Sequence, residues 1–174
     1  MAGDIKLKRA ASSALTVTNL HSLASHQTWE SGWTSGTIDC EEYIDIMLAG
    51  TFTTHASNRQ AGVINVWVYA ALNDTPTWPA IFSAGTPGTE GAPATVVDTE
   101  ERDSAMRLVA SITVDNTASA VYTFPPTSLA QLFGGTLPTD VAVFVAQNAS
   151  TTTTAGLASS GSALHITPIL AQYT

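Results

Sequence analysis

The chain consists largely of short apolar runs typical of β-strands, and this feature limits its fold more than any other. The runs are rich in Val, Ile, Thr and aromatic residues, which favour a pleated backbone. No segment of twelve or more residues carries apolar side chains at the i, i+3, i+4 and i+7 spacing of an amphipathic helix. The sequence therefore excludes a fold built mainly on helices.

About eight strands are predicted, separated by turns and loops. They lie at residues 14–20, 34–39, 43–54, 62–72, 104–114, 120–124, 140–148 and 163–173. The run at 62–72 is apolar on both faces, as expected of a central strand or of one that is covered on both sides. Eight mainly antiparallel strands around one core predict an all-β fold, an antiparallel β-sandwich of the jelly-roll type. An immunoglobulin-like sandwich is the alternative, although its Cys…Trp…Cys pattern is absent.

Two segments differ from the strand pattern. Residues 126–135 predict one short helix, because Ser128 can cap its start and the pair Gly134–Gly135 can end it. Residues 73–103 contain several prolines and glycines and predict a long loop that faces solvent. A loop of that length usually has a function or becomes ordered on a partner.

The charges divide the chain into a basic start and an acidic body. Lys6, Lys8 and Arg9 are three of the six basic residues. In the rest of the chain three arginines face 13 acidic residues, which leaves that part with a net charge of −10. We therefore expect an N-terminal arm over residues 1–13 and a sandwich domain over residues 14–174. The arm either docks on an acidic neighbour or is a solvated terminus that helps solubility.

The composition and the missing motifs exclude several classes of function. The net charge of −8 argues against charge-driven binding of nucleic acid, and the apolar runs are too short to cross a membrane. No secretory signal is visible, so synthesis and folding are expected in a cytoplasm. The lone Cys40 cannot form an intrachain disulfide and is predicted to be a buried structural thiol.

Residues for catalysis or metal binding are also not evident. The four histidines have no metal-ligand spacing, and neither a GxSxG nor a phosphate-loop motif is present. We therefore expect no catalytic, cofactor-binding or metal-binding residues, and we expect that the chain is not an enzyme.

Three of the four tryptophans are predicted to lie in loops. An exposed Trp29, Trp33 or Trp78 could anchor a partner or a sugar, whereas packing of the loops over the ends of the sandwich is the alternative. Trp67 lies within a strand and is predicted to belong to the core or a sheet face.

Several segments, taken in order, carry a family resemblance. They are ALTVTNLHSLASHQTWESG (14–32), CEEYIDIMLAGTFTT (40–54), VINVWVYAALNDTPTWPAIF (63–82), SLAQLFGGTLPTDVAVFVAQNAS (128–150) and HITPILAQY (165–173). Together they resemble small structural proteins of tailed bacteriophages, in particular head decoration, or cement, proteins with a jelly-roll fold. The resemblance covers roughly residues 14–173, and its segments are short and carry no catalytic residues.

The resemblance implies a non-enzymatic role in the virion. Such proteins sit on the outer surface of the phage head and bridge neighbouring subunits of the major capsid protein. Copies of the chain are expected to associate as dimers or trimers at the symmetry axes of the capsid. A tail, fibre or receptor-binding subunit of the virion and a carbohydrate-binding module are the alternatives.

An interface is expected at six residues. Lys6, Lys8 and Arg9 of the arm would contact an acidic capsid surface, and Arg102 would face acidic groups of a neighbour. Trp78 and Phe82 in the long loop would supply an apolar anchor.

Overall fold

The apolar runs of the sequence form β-strands that assemble into two antiparallel sheets. The computed structural model describes residues 5–149 and 156–173. In this part of the chain the strands are β1 (Ile5–Arg9), β2 (Ser13–Ala14), β3 (Ser31–Thr34), β4 (Ile38–Asp39), β5 (Asp45–Thr53), β6 (Gly62–Ala70), β7 (Phe82–Ala84), β8 (Gly91–Val96), β9 (Met106–Val114), β10 (Val121–Ser128), β11 (Asp140–Gln147) and β12 (Ala163–Tyr173). The helices are α1 (Thr99–Ala105) and α2 (Leu129–Leu132), and a 3₁₀ turn covers Thr18–Leu20.

The order of the strands is that of a jelly roll. One sheet runs β1–β12–β5–β10 and the other β7–β8–β3–β11–β6–β9, with β2 also paired to β12 and β4 to β11. β1 and β2 both pair with β12 and count as one strand position of the jelly roll, and β3 and β4 both pair with β11 and count as another. β7 and β8 are extra strands at the edge of the second sheet. The remaining strands then occupy eight positions. In chain order these positions read 1-8-3-6 in one sheet and 2-7-4-5 in the other. The predicted all-β jelly-roll sandwich is confirmed.

The main core lies between the two sheets. Every second residue of β5, including Leu48 and Phe52, is buried there, as the alternation of side chains along a strand requires. Ile64, Val66 and Val68 of β6 fill the core from the opposite sheet and are fully buried. Complete burial of such side chains stabilises the fold by about 1.5–3 kcal/mol each.

A second core covers the outer face of the β6–β11 sheet. Trp67, Tyr69 and Phe144 point away from the main core and are buried under β7, β8 and the segment before them. The ring centroid of Phe82 lies 5.4 Å from that of Tyr69 and 5.8 Å from that of Phe144. β6 is therefore covered on both sides, as its apolar run predicts.

The long loop predicted at residues 73–103 is not a continuous loop, since it contains β7, β8 and most of α1. Ala94 and Val96 of β8 are buried against the outer face of the sheet, and this contact orders the segment. The carboxylate of Asp98 then accepts a hydrogen bond of 2.7 Å from the Glu101 amide and caps α1.

The short helix predicted at 126–135 is confirmed as α2. The hydroxyl of Ser128 accepts a hydrogen bond of 3.2 Å from the Gln131 amide at its start. Gly134 and Gly135 follow it with φ angles of +82° and +100°, which glycine adopts without steric cost.

The arm predicted over residues 1–13 is corrected by the structure. Residues 5–9 form β1 and pair with the end of β12, and Ser13 pairs with Ile166 of the same strand. This part of the chain therefore belongs to the first sheet, because its alternating apolar and basic residues fit the two faces of a strand. Residues 1–4 lie outside the described residues. The strand predicted at 14–20 is reduced to its first residue, since a 3₁₀ turn follows at Thr18–Leu20.

Replacing Phe144 by alanine tests whether the second core stabilises the whole fold. We expect Phe144→Ala to lower the free energy of unfolding by about 3–5 kcal/mol, measured by urea denaturation, because Phe144 is fully buried against Trp67 and Phe82. Leu72→Ala is the control, since Leu72 is exposed and should change stability by less than about 0.5 kcal/mol. If both substitutions changed the free energy of unfolding equally, the outer layer would not contribute to the stability of the fold.

Candidate functional site

An exposed part of the first sheet is a two-stranded ribbon, made of β1 and residues 169–173 of β12. The pairing of β12 with β5 ends at Ile169, opposite Asp45. Beyond that point β12 pairs only with β1, in the register Arg9–Ile169 to Ile5–Tyr173. We call this element the β1–β12 ribbon. The ribbon continues beyond Asp45, the first residue of β5, and all five residues of β1 are exposed.

One face of the β1–β12 ribbon is apolar and uncovered. Ile5 and Leu7 are 62% and 72% exposed. Leu7 lies opposite Ala171, which is also exposed, so these side chains share one face. An isolated two-stranded ribbon is only marginally stable in water, and an uncovered apolar face is typical of a surface that binds a partner.

The other face of the β1–β12 ribbon is basic. Lys6 and Lys8 alternate with the apolar residues and lie opposite Gln172 and Leu170. In the described part of the chain the sole ion pair is that between Arg102 and Asp103, so neither lysine is neutralised by a described acid. The ribbon therefore combines apolar contact area with unpaired positive charge.

Arg102 does not form part of an exposed interface, which corrects the expectation from the sequence. Its side chain is buried, and its guanidinium lies over the Trp67 ring at 4.8 Å from the centroid. It donates hydrogen bonds to the carbonyls of Thr28 (2.7 Å) and Trp29 (3.3 Å) and contacts the Asp103 carboxylate at 2.8 Å. Arg102 thus fastens α1 to the loop before β3.

Trp78 and Phe82 are likewise used inside the molecule rather than as a free apolar anchor. The Trp78 ring packs edge-on against Tyr69, with 5.2 Å between centroids. Phe82 belongs to β7 and packs on Tyr69 and Phe144. Both side chains are half-buried, because they help to cover the apolar outer face of the second sheet. Only the β1–β12 ribbon therefore retains the predicted character of an interface.

Trp33 is fully buried and lies in a strand, so the prediction that it lies in a loop is wrong. It belongs to β3, and its indole N–H donates a hydrogen bond of 2.7 Å to the carboxylate of Glu90. The same carboxylate accepts hydrogen bonds from the backbone and side-chain nitrogens of Asn19, at 2.8 and 2.6 Å. Burial alone would raise the pKa of Glu90, but these hydrogen bonds outweigh it and lower the pKa.

Cys40 is buried, as predicted, and the described residues around it disfavour the thiolate form. Burial, and after it the negative charges of Asp140 and Asp39, raise the pKa of the thiol to about 12. The thiol therefore stays protonated at neutral pH, whereas a nucleophilic cysteine needs a depressed pKa. Within residues 5–149 and 156–173, no three His, Cys, Asp or Glu side chains gather closely enough to hold a metal ion.

The sequence contains a signal for the ribbon besides its positive charge. The run Ile-Lys-Leu-Lys-Arg at 5–9 alternates apolar with basic residues, which is the period of a strand.

Neither helix in the described part of the chain has the length and apolarity needed to span a membrane. Comparison with known proteins adds no relative, because no family model, no curated protein and no solved structure matches the chain.

Glu90 should make stability dependent on pH. Because the pKa of Glu90 is lowered by folding, its contribution is present above the ordinary pKa of 4.5 and is lost as the pH falls through the lower value of the folded state. We expect Glu90→Gln to destabilise the protein at pH 7 by about 1 kcal/mol. The difference from the unchanged chain should shrink towards pH 3 in urea denaturation, and a constant difference would contradict this role.

Cys40 should resist thiol reagents in the folded protein. Because the thiol is buried and protonated, we expect dithionitrobenzoate to label less than a tenth of the chains at pH 8 in the time that labels all chains in urea. Glutathione, reacted under the same conditions, is the control for reagent activity. Rapid and complete labelling without urea would show that Cys40 is accessible.

Proposed function

We propose that this chain is a non-enzymatic structural protein of a tailed-phage virion, which decorates the head and bridges neighbouring subunits of the major capsid protein. The observation that carries the proposal is the β1–β12 ribbon, which extends the first sheet with an apolar face and a basic face that nothing in the described chain covers. The resemblance of the sequence to head decoration proteins supplies the identity of the partner. The outer surface of the head is the location proposed for it.

The apolar face of the ribbon supplies contact energy for such a role. Ile5 and Leu7 are exposed to water, and their burial on a partner would stabilise the complex by about 1.5–3 kcal/mol for each side chain. The outer edge of β1 has no strand beside it in the described sheet, so its backbone can also pair with an extended segment of the partner.

The basic face supplies specificity. Lys6 and Lys8 on this face, and Arg9 at the end of the opposite face, stand next to a body whose net charge is −10, and they complement an acidic surface on another subunit. Charges at such an interface mainly accelerate association and suppress wrong partners. The sandwich would bind one capsid subunit and the ribbon would bind the next. Together they would resist separation of the two subunits.

Association of several copies belongs to the same proposal. Capsids are symmetric, and a decorating protein placed at a symmetry axis meets further copies of itself, so dimers or trimers are proposed at these axes. A tail or fibre subunit is the alternative, and copy number separates the two. Densitometry of purified virions should give hundreds of copies for a head protein, whereas a few copies would favour the tail.

Reversing the charge of the ribbon should weaken binding to the head. We expect the double variant Lys6→Glu/Lys8→Glu to bind to purified heads that lack this protein about tenfold more weakly, because two attractive charges become repulsive. Co-sedimentation at low and at high salt measures the loss, which should diminish as salt screens the charges.

The matched control is Arg107→Glu, which reverses an exposed charge outside the ribbon. It should leave binding to heads within about twofold of the unchanged chain. Equal binding of the double variant and the unchanged chain at low salt would remove the ribbon from the interface. Absence of the unchanged chain from the heads would overturn the proposed function itself.

A further inference from the structure

The outer face of the second sheet contains a recess that the proposed function does not use. It has a volume of about 430 Å³ and lies beside the second core, between the loop before β3 and the edge strand β9. Its lining includes Trp29, Asn65, Trp67, Asp103, Leu108 and Ser111. Recesses of about 300–1,000 Å³ that combine an apolar wall with a few polar groups are typical of binding sites for small ligands.

Asn65 adds a polar amide to the lining of the recess. The side-chain oxygen of Asn65 is buried, and in the described part of the chain it has no hydrogen-bond partner. An unsatisfied buried polar atom costs about 1–3 kcal/mol, so it calls for an explanation. Ser111, directly across from Asn65 on β9, adds an exposed hydroxyl at the same place.

Asp103 offers an acceptor. Both guanidinium contacts from Arg102, each 2.8 Å long, go to Oδ1 of Asp103. No described residue donates to Oδ2, and the side chain is 62% exposed. The recess therefore presents an oriented carboxylate oxygen, because the buried Arg102 holds the group in place.

The apolar wall is formed by side chains that the fold holds in position. Leu108 on β9 is 49% exposed beside the recess. Trp29 is half-buried, and its indole N–H contacts the Val63 carbonyl at 3.4 Å. Its backbone has a φ of +55°, a conformation that a bulky residue rarely adopts and that often marks a functional position.

The charges around the recess disfavour an anionic ligand. The guanidinium of Arg102 is engaged by the carbonyls of Thr28 and Trp29 and by Asp103, so it leaves little positive charge for a ligand. The Asp103 carboxylate would repel an acidic group. The suitable ligand is therefore uncharged, with hydroxyls that donate to oxygen acceptors and with an apolar face that packs on Trp29 and Leu108.

We propose that this recess binds the pyranose ring of a neutral saccharide. A pyranose has both required features, since its C–H groups form an apolar face and its hydroxyls form a polar rim. Asp103 accepts a hydrogen bond from a hydroxyl, the Asn65 amide N–H can donate one, Ser111 can donate or accept one, and Trp29 and Leu108 contact the ring. This activity is independent of the β1–β12 ribbon, which lies on the other sheet.

Saturation-transfer NMR on the full chain tests the proposal. The probes are methyl glycosides of glucose, galactose, mannose and N-acetylglucosamine, each at about 10 mM, together with glucuronate as an acidic counterpart. At this concentration dissociation constants of about 1 mM are readily detected. We expect at least one neutral glycoside to give ring-proton signals and glucuronate to give none.

Two variants test whether the saccharide binds in the recess. Asn65→Leu should weaken binding by tenfold or more and leave the melting temperature unchanged or higher, because it removes an unsatisfied buried group. Leu108→Ala should weaken binding several-fold, and its exposed position keeps the test valid if Asn65→Leu fails to fold. Leu72→Ser, at an exposed position outside the recess, is the control and should bind as the unchanged chain does.

Three results would overturn the proposal. They are the absence of binding by every neutral glycoside, binding of glucuronate alone, and unchanged binding in a folded Asn65→Leu or Leu108→Ala variant.

Discussion

β6 and β11 are buried on both faces, and this double burial explains the arrangement of the other elements. Their alternate residues, such as Val66 and Trp67, enter two different cores. A sandwich alone covers only one of these faces, so a second layer must cover the other. The segment with β7, β8 and α1 supplies that layer. Its aromatic and arginine side chains are consequently committed to internal contacts.

The internal packing of these side chains explains which surfaces remain free to bind partners. Trp78, Phe82 and Arg102, all attractive as binding residues in isolation, lie against Tyr69 or Trp67 and stabilise the outer layer. The β1–β12 ribbon lies on the opposite sheet, and no described residue forms a second layer over it. Its apolar side chains therefore stay in water, where contact with another molecule can bury them. The recess at Asn65 is a gap in the outer layer rather than part of that ribbon.

The sequence predicts the strands that alternate or are continuously apolar, and it predicts α2 from Ser128 and Gly134, because these signals are local. It fails where a segment takes its structure from distant contacts. Trp33 reads as a loop residue, yet β3 places it in the main core, where Glu90, 57 positions away, accepts its N–H. In the sequence Asn65 is simply one polar residue within an apolar strand. It lines a recess only because Trp29 and residues of β9 form the other walls.

The amino-acid sequence alone predicted the all-β jelly-roll sandwich, a strand at residues 62–72 that is apolar on both faces, and the separation of basic from acidic charge. These properties follow from residue periodicity and composition, which are readable along the chain. The three-dimensional contacts were needed to show that residues 5–9 are a sheet strand, that the segment 73–103 forms a second layer and that Arg102 is buried. The physical reason is that strand partners and buried surfaces come from segments far apart in sequence, such as Leu7 and Ala171.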